Sequence, residues 1–344
     1  MDVQAILERY QALIAAELQT SIPSGQVGLA RFYDMMRYHL GWLDSSFQPT
    51  TADPGKRLRP TLCLLTCEAA GGEVERAVPA AAALELMHNF SLIHDDIEDQ
   101  SEERRHRPTV WKNWGVAQAI NTGDGMYILA SLALQRLSQR GVPADVVLAT
   151  VRVFDETCLE LCQGQYLDLS FETRNDVTVA LYLEMIRGKS AALFSACTHI
   201  GALLASPDPA LVAAYRRFGL NLGLAFQIVD DILGIWGDPA LTGKSVASDV
   251  MSKKKTLPLL YALEQEKRVG GTDISEIYRQ DRISESQARR VVELLDRAEA
   301  RAYCQAAANS YLKEALRELD RTGRDNRAQQ EMREISRFLV ERAY

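Results

Sequence analysis

Two short aspartate-rich segments, DDIED at 95–99 and DD at 230–231, each follow an apolar stretch with the pattern of a buried helix. In a helix, Asp95 and Asp99 stand four residues apart and project from one face about one turn apart. Carboxylates that close repel each other unless a cation is present, and carboxylate oxygen is the ligand type that suits Mg²⁺. Because Mg²⁺ commonly binds one or two protein carboxylates together with substrate phosphates, the two segments predict a metal-dependent diphosphate site.

A solvated acidic face is the usual alternative interpretation of such charge runs. The runs LELMHNFSLI before the first segment and GLNLGLAFQIV before the second argue against it, since helices of that composition are normally buried. The carboxylates are therefore predicted to be functional.

The whole chain, residues 1–344, is predicted to be one large all-α domain. Ala, Leu, Glu and Arg are abundant, alternating strand patterns are scarce, and no segment has the composition of a linker. Helices are predicted at 2–21, 25–46, from about Thr61, and at 76–99, 113–139, 143–168, 178–204, 208–235, 253–266, 284–304, 306–320 and 325–342. The turn-rich segment at 237–249 is predicted to be a functional loop.

The net charge of −7 argues against a nucleic-acid partner, although basic clusters at 56–59 and 253–255 oppose the overall sign. No secretory signal and no continuous 18-residue apolar span is recognised, which predicts a soluble, cytoplasmic protein without a membrane span. The six cysteines do not have the spacing of metal knuckles and are predicted to be buried, reduced thiols.

Basic motifs interleaved with the acidic segments extend the pattern along most of the chain. In order they are GKRLRP (55–60), HNFSLIHDDIED (88–99), RRHRPT (104–109), GQYLDL (164–169), GKS (188–190), FQIVDD (226–231), GK (243–244) and SDVMSKKKTLP (248–258). Together they resemble the trans-isoprenyl diphosphate synthases, also called the polyprenyl synthetase family. The resemblance implies an all-α isoprenoid synthase fold, with helices around a central substrate cavity.

The resemblance also implies a reaction, its substrates and a metal. The expected enzyme is a prenyltransferase that joins isopentenyl diphosphate head-to-tail to an allylic diphosphate (dimethylallyl, geranyl or farnesyl). Mg²⁺ is the expected cofactor, with three ions per active site and Mn²⁺ as an alternative, and the expected assembly is a homodimer.

Site residues carried over from the family motifs fall into groups by role. The metal ligands would be Asp95, Asp96, Asp99, Asp230 and Asp231, with Gln165 and Asp168 near metal-bound water. The allylic diphosphate would be held by Arg104, Lys189, Lys244 and Lys254, with Ser190 in the same substrate-binding set. The isopentenyl diphosphate would be held by Lys56, Arg59, His88 and Arg105. Lys189, Gln227 and Lys244 would be the catalytic residues, Gln227 lying near the reacting carbons.

Three positions depart from the family pattern. Gly234 stands where many members have a third aspartate, His106 replaces a common glycine, and Ser190 replaces a common threonine while retaining a hydroxyl. The second acidic segment therefore has one carboxylate fewer than the first, and altered metal affinity is expected there.

Product length is expected to depend on the residues that precede Asp95 in its helix. One helical turn of about 5.4 Å is close to the length of one isoprene unit, so depth along the helix corresponds to product length. Phe90 is bulky, Ser91 leaves room, and Met87 lies deeper. A single aromatic at this place resembles one class of geranylgeranyl diphosphate synthases, which favours a C20 product, with Phe90 as a floor of the pocket.

Other functions compete with this one. A farnesyl or longer-chain synthase is the nearest alternative. A terpene cyclase would share the fold, but 221–231 lacks the expected Asn/Ser/Glu pattern. A non-catalytic synthase subunit would be expected to lose the first acidic segment, which is intact here.

Overall fold

The computed structural model describes residues 3–25, 27–50, 52, 55–237 and 247–341. Its helices are α1 (Val3–Glu8), α2 (Gln11–Ser21), α3 (Ala30–His39), α4 (Leu58–Ala70), α5 (Val74–Glu98), α6 (Val110–Trp114), α7 (Val116–Gln135), α8 (Ala144–Phe171), α9 (Val179–Ile186), α10 (Ala192–Ala205), α11 (Pro209–Trp236), α12 (Ser248–Met251), α13 (Leu257–Arg268), α14 (Asp273–Tyr278), α15 (Glu285–Arg297), α16 (Ala300–Arg321) and α17 (Arg327–Val340). Within the described ranges, the strands are β1 (Glu103–Arg104) and β2 (Arg107–Pro108), which pair antiparallel. The all-α prediction is confirmed.

Contacts divide the chain into two compact units. Unit 1 comprises Met1–Glu156, Ala196–Tyr215 and Arg324–Met332, and unit 2 comprises Thr157–Ser195, Arg216–Gly323 and Arg333–Tyr344. Asp95 and Asp99 belong to unit 1, whereas Asp230 and Asp231 belong to unit 2. The prediction of one domain over 1–344 stays a prediction.

The core of unit 1 is built around α5, whose residues are almost all buried from Ala77 to Met87. The helix begins at Val74, two residues before the predicted start, so Pro79 lies in its second turn. Proline there removes one helical N–H donor and is tolerated near a helix start. A run of alanines after it lets neighbouring helices approach closely, which fixes the helix that carries the first acidic segment.

The core of unit 2 surrounds α11. One buried cluster joins Ile228 and Ile232 of this helix to Tyr182 of α9, Leu257 of α13 and Cys304 of α16. A second cluster packs Ile235 against α13 and α15. The second acidic segment therefore lies on a helix that is packed over most of its length.

Several predicted helix bounds differ from the structure. The helix predicted over 2–21 is divided after Glu8, and the one predicted over 178–204 contains a π-helical turn at Arg187–Ala191. The break predicted near residue 305 lies instead at Glu299, which has a left-handed φ of 56°. The functional loop predicted at 237–249 lies largely outside the described residues.

Helix α11 is long and apolar enough, with a mean hydropathy of 1.4, to cross a membrane by length and composition alone. Every 18-residue window of this helix includes charged residues, from Arg216 and Arg217 or from Asp230 and Asp231, so the helix is not a continuous apolar span and the absence of a membrane span stays a prediction. Since 67% of the apolar window is buried inside the protein, the helix has the environment of a core helix.

The cysteines are free, but not all are buried as predicted. Cys63, Cys67, Cys197 and Cys304 are buried, whereas Cys162 is exposed on α8. Cys162 lies on the outward face of α8, which the four-residue spacing of Cys158 and Cys162 alone did not reveal.

Candidate active site

The first acidic segment forms the last turn of α5, and its carboxylates do not all face the same way. Asp95 and Asp99 are partly exposed, whereas Asp96 is only 1% exposed. Arg104 of β1 donates to Asp96 Oδ1 from Nε and from Nη2, each at 2.8 Å. Its Nη2 lies 3.7 Å from Asp95 Oδ2. The predicted ligand Asp96 therefore contacts a protein cation, whereas Asp95 and Asp99 are the two carboxylates of the segment that are partly exposed.

Burial raises the pKa of Asp96 to about 6, against the opposing effect of Arg104, and the neighbouring Asp95 and Asp99 raise it further. Its second oxygen, Oδ2, is buried and accepts no hydrogen bond within the described residues. Three carboxylates are thus crowded at one helix end, where Arg104 lies against Asp96 and near Asp95. Excess negative charge of this kind favours cation binding.

A basic cluster lies near the middle of α5 in the same unit. Arg59 Nη1 is 3.0 Å from His88 Nε2. Burial lowers the pKa of His88 well below its usual range, and the charge of Arg59 lowers it further. The imidazole is therefore neutral and accepts the hydrogen bond from Arg59, which fixes the direction of the guanidinium.

Sequence reasoning missed the buried acid that belongs to this cluster. Glu85, one turn before His88, is 3% exposed, and Asn89 donates to its Oε1 at 3.1 Å. Burial raises the pKa of Glu85, and the charges of Arg59, Arg105 and Arg57 oppose that rise. One buried carboxylate faces several arginines, so the cluster keeps an excess of positive charge. Such a cluster suits a diphosphate.

Arg105, which follows Arg104 in the chain, is positioned by its backbone conformation. Arg105 and His106 both have left-handed φ angles, 52° and 58°, in the tight hairpin between β1 and β2. A Cβ on Gly55 would lie 2.7 Å from Arg105 Nη2, so the glycine allows the guanidinium to pack on the backbone. The GKRLRP and RRHRPT motifs therefore meet in unit 1, and Lys56 is exposed beside them.

In unit 2, Asp231 is 5% exposed and closely held. It accepts hydrogen bonds from Tyr182 Oη at 2.5 Å, Gln227 Nε2 at 3.0 Å and the Leu257 N–H at 3.1 Å. Ser190 Oγ in turn donates to Gln227 Oε1 at 2.6 Å. Gln227 and Ser190 were predicted to contact substrate, and the structure shows that both belong to the hydrogen-bond network around this carboxylate. Asp230 is more exposed.

Lys189 is held by a close contact between two helices. Its Nζ lies 2.5 Å from Asp168 Oδ2, a partner that the motif GQYLDL had suggested for metal-bound water instead. A Cβ on Gly164 of α8 would lie 2.0 Å from the Lys189 backbone nitrogen, so only glycine permits this approach. The neighbouring Gly188 packs against the Glu160 carbonyl for the same reason. Gln165 lies partly buried in the same turn of α8.

The lysines of the KKK run point in different directions. Lys253 Nζ donates to the Gln280 carbonyl at 2.6 Å, and Lys255 Nζ lies over the Tyr278 ring. Lys254 is exposed, so it is the member best placed to meet a soluble anion. The predicted catalytic lysine Lys244 lies outside the described residues.

The residues expected to set product length lie on two faces of α5. Met87 is fully buried, and Ser91 Oγ donates to the His88 carbonyl at 2.8 Å. Phe90 packs edge-on against Tyr127 of α7, with ring centroids 5.2 Å apart. Tyr127 in turn stacks on Phe154 of α8 at 6.1 Å. Sequence reasoning missed this aromatic support because neither residue is near an acidic motif.

A divalent cation fits the carboxylates described here. The donors are carboxylate oxygens, and the buried Asp96 Oδ2 has no hydrogen-bond donor in the part of the chain that the structure describes. That part contains no group of three Asp, Glu, His or Cys side chains already arranged around one ion. Mg²⁺ that binds one or two of these carboxylates and takes its remaining ligands from substrate phosphate oxygens is consistent with both observations.

The network around Asp231 predicts a pH effect on the metal-free protein. Burial raises the pKa of this carboxyl to about 7, and the nearby Asp249 raises it as well. The unfolded chain has an ordinary aspartate pKa of about 3.9, so the native state holds more protons between the two values. The free energy of unfolding should therefore fall as pH rises from about 4 to 7, by up to about 1.4 kcal/mol per pH unit from this group.

Denaturant unfolding of metal-free protein at several pH values in this range tests that expectation. Asp231→Asn should flatten the dependence, because the amide does not titrate. Asp281→Asn, at an exposed position of the same unit, should leave the dependence as it is in the wild type. An unchanged slope in Asp231→Asn would show that another group is responsible.

Comparison with known proteins agrees with the motifs. A family model described as polyprenyl synthetase matches residues 41–295. A farnesyl diphosphate synthase from Mycobacterium tuberculosis is 38% identical over 312 residues, which cover 90% of this chain and 85% of that protein. A geranylgeranyl diphosphate synthase from the same organism is 42% identical over 275 residues, covering 80% and 76% respectively. The crystal structure of a polyprenyl synthetase from Streptomyces coelicolor superposes with a TM-score of 0.87 at 35% identity, covering 98% of this chain and 100% of that one.

Proposed function

The chain belongs to the polyprenyl synthetase family and is a trans-prenyltransferase, and from that premise we propose that its product is geranylgeranyl diphosphate. The substrates would be isopentenyl diphosphate and an allylic diphosphate. The observation that supports the binding of two diphosphates is the presence, within unit 1, of the partly exposed Asp95 and Asp99 and of a separate arginine cluster. One group suits a metal-bound diphosphate and the other a diphosphate bound without metal.

The reaction breaks the bond between the allylic carbon and its diphosphate oxygen. The double bond of isopentenyl diphosphate supplies the electron pair for the new carbon–carbon bond, and a proton is then lost to the released diphosphate. Family members use Mg²⁺ to bind diphosphate, and the metal supplies positive charge that stabilises the leaving group. We propose Asp95 and Asp99 as the ligands in unit 1, three ions in total, and Mn²⁺ as a substitute.

The protein's own groups position the substrates and balance their charge. Arg59, oriented by neutral His88, and Arg105, packed on Gly55, would hold isopentenyl diphosphate. Arg104 holds Asp96 and so keeps the end of α5 in place, with Asp95 and Asp99 partly exposed beside it. In unit 2, Lys189 forms an ion pair with Asp168. When the allylic substrate binds, Lys189 would exchange Asp168 for a phosphate oxygen as its partner.

Incubation with isopentenyl diphosphate, Mg²⁺ and each allylic primer tests the proposal. The products are dephosphorylated and separated by chromatography against standards of known length. A geranylgeraniol peak supports the proposal, and a farnesol end product overturns the assigned length. No elongation of any primer would contradict the synthase assignment as a whole.

Farnesyl diphosphate is the second candidate product. It is favoured by the farnesyl diphosphate synthase relative, which matches a larger share of this chain than the geranylgeranyl diphosphate synthase does. The end-product assay separates the two candidates, because of these two enzymes only a geranylgeranyl diphosphate synthase extends farnesyl diphosphate. A cytoplasmic location stays a prediction.

Replacing Phe90 by Ala should lengthen the product by at least one isoprene unit. The change removes a ring supported by Tyr127 and opens about one helical turn of depth along α5. Product length is measured by the same chromatography. Phe338→Ala, at an exposed phenylalanine, is the control and should leave product length unchanged. If Phe90→Ala makes a product of unaltered length, Phe90 does not form the floor of the product pocket.

We also propose that the enzyme is a homodimer. Helix α7 carries two exposed apolar pairs at four-residue spacing, Val116 with Ile120 and Ile128 with Leu132, each residue 43–55% exposed, and Asp124 lies between the pairs. Residues four apart lie along one ridge of a helix, and such ridges pack against a second helix of the same kind. A molar mass near twice 38.3 kDa by light scattering would support the dimer, and the monomer mass would refute it.

A further inference from the structure

Glu85 is a buried carboxylate for which the reaction described above has no use. Its residue is 3% exposed, which is too little for contact with a soluble substrate. It lies three residues before His88 and four before Asn89, so the three side chains share one face of α5. Because His88 accepts the hydrogen bond from Arg59, Glu85 lies about one helical turn from the contact that orients this arginine.

Asn89 fixes the position of the Glu85 carboxylate. The amide of Asn89 is fully buried, and its Nδ2 donates to the Glu85 carbonyl at 2.8 Å and to Glu85 Oε1 at 3.1 Å. A buried amide that donates twice to one residue holds that side chain in a single orientation. The negative charge of Glu85 therefore has a defined place inside unit 1.

Arg57 is the buried cation that this charge offsets. It is 9% exposed, and its Nη1 donates to Gln11 Oε1, a neutral acceptor, at 3.2 Å. Burial lowers the pKa of Arg57, and the negative charge of Glu85 opposes that fall. A buried guanidinium is costly without a nearby opposite charge, so Arg57 depends on Glu85 to remain inside the protein.

The inward position of Arg57 determines how its neighbours in the GKRLRP motif are presented. Arg57 has a left-handed φ of 45° at the residue before α4, a conformation that a non-glycine residue keeps only when the surroundings hold it. Lys56 on one side of it is exposed, and Arg59 on the other is partly exposed against His88. The buried arginine thus anchors the segment that carries both exposed cations.

We propose that Glu85 and Arg57 are positioning residues of the isopentenyl diphosphate site. The Glu85 carboxylate offsets the buried charge of Arg57, and Arg57 in turn keeps Lys56 and Arg59 directed toward one diphosphate. Neither of the two buried side chains contacts the substrate. This inference rests on the proposed use of isopentenyl diphosphate as a substrate.

Steady-state kinetics with each substrate varied in turn test the proposal. Glu85→Gln keeps the shape of the side chain and an acceptor for Asn89 but removes the charge. The KM for isopentenyl diphosphate should rise about 10-fold, while the KM for the allylic diphosphate should change less than about twofold, because only one of the two sites is disturbed. Glu75→Gln, at an exposed acid in the first turn of the same helix, is the matched control and should leave both values unchanged.

A double-mutant cycle shows whether the two buried charges act together. Arg57→Gln alone should also raise the KM for isopentenyl diphosphate, and Arg57→Gln combined with Glu85→Gln should raise it no more than either single change does. Effects that multiply in the double variant would show independent roles and overturn the proposal. The double variant buries no unbalanced charge, so it also serves where a single variant does not fold. Its selective rise in the KM for isopentenyl diphosphate supports the proposal, and wild-type values overturn it.

Two further outcomes separate positioning from a general packing role and from the proposed function. Equal rises in both KM values in Glu85→Gln, or a wild-type KM for isopentenyl diphosphate, would overturn the positioning role. Wild-type protein that elongates no allylic primer would instead contradict the proposed function itself.

Discussion

Replacing Asp95 by Asn is expected to lower kcat/KM for allylic diphosphate by about 10³-fold, the upper range for losing one group that stabilises developing charge. Asp95 is partly exposed at the end of α5, one helical turn from the partly exposed Asp99. The amide keeps the shape of the side chain but removes its charge, so the loss reports cation binding. Initial rates at several Mg²⁺ concentrations provide the measurement, and raising Mg²⁺ should recover part of the activity.

Glu98→Gln is the matched control for this variant. Glu98 lies between the two aspartates in sequence and is more exposed than either of them. Its replacement removes one negative charge from the same turn and should change kcat/KM less than about threefold, since an exposed surface charge acts weakly. Equal losses in both variants would mean that net charge alone matters and that Asp95 is not a ligand.

Replacing Gly164 by Ala is expected to lower the free energy of unfolding by about 3 kcal/mol, the upper end of the usual cost of overpacking. The added Cβ would lie 2.0 Å from the Lys189 backbone nitrogen and 2.7 Å from its Cα, and backbone atoms cannot rotate away. Helix α8 and the π-helical turn must separate. The Lys189 contact with Asp168 should move with them, so kcat should fall as well as stability.

Chemical denaturation and steady-state kinetics test both parts of this expectation. Gln163→Ala, one residue earlier on α8 and exposed, should be neutral or slightly stabilising because alanine favours helix. If Gly164→Ala folds with wild-type stability, the close approach of the two backbones is not required. If stability falls but kcat does not, Lys189 does not depend on this contact.

The helical fold and the main functional groups were predictable from local sequence. Apolar periodicity, caps and the scarcity of strand patterns predict helices, because these signals act over a few residues. The ordered motifs predicted where Asp95, Arg59 and Lys189 would be needed. They did not reveal which carboxylate faces inward, since adjacent aspartates differ only by a rotation of about 100° around the helix.

The sequence by itself determined that the chain is all-α, that it carries two acidic segments, and that basic motifs accompany them. Tertiary structure alone decided that Asp96 pairs with Arg104, that Glu85 lies buried among arginines, and that Asp249 fills the space at Gly234. The physical reason is that residue type follows from local patterns, whereas burial and partners depend on which distant segments pack together. Asp249 is 15 residues from Gly234, and no pattern within one helix could connect them.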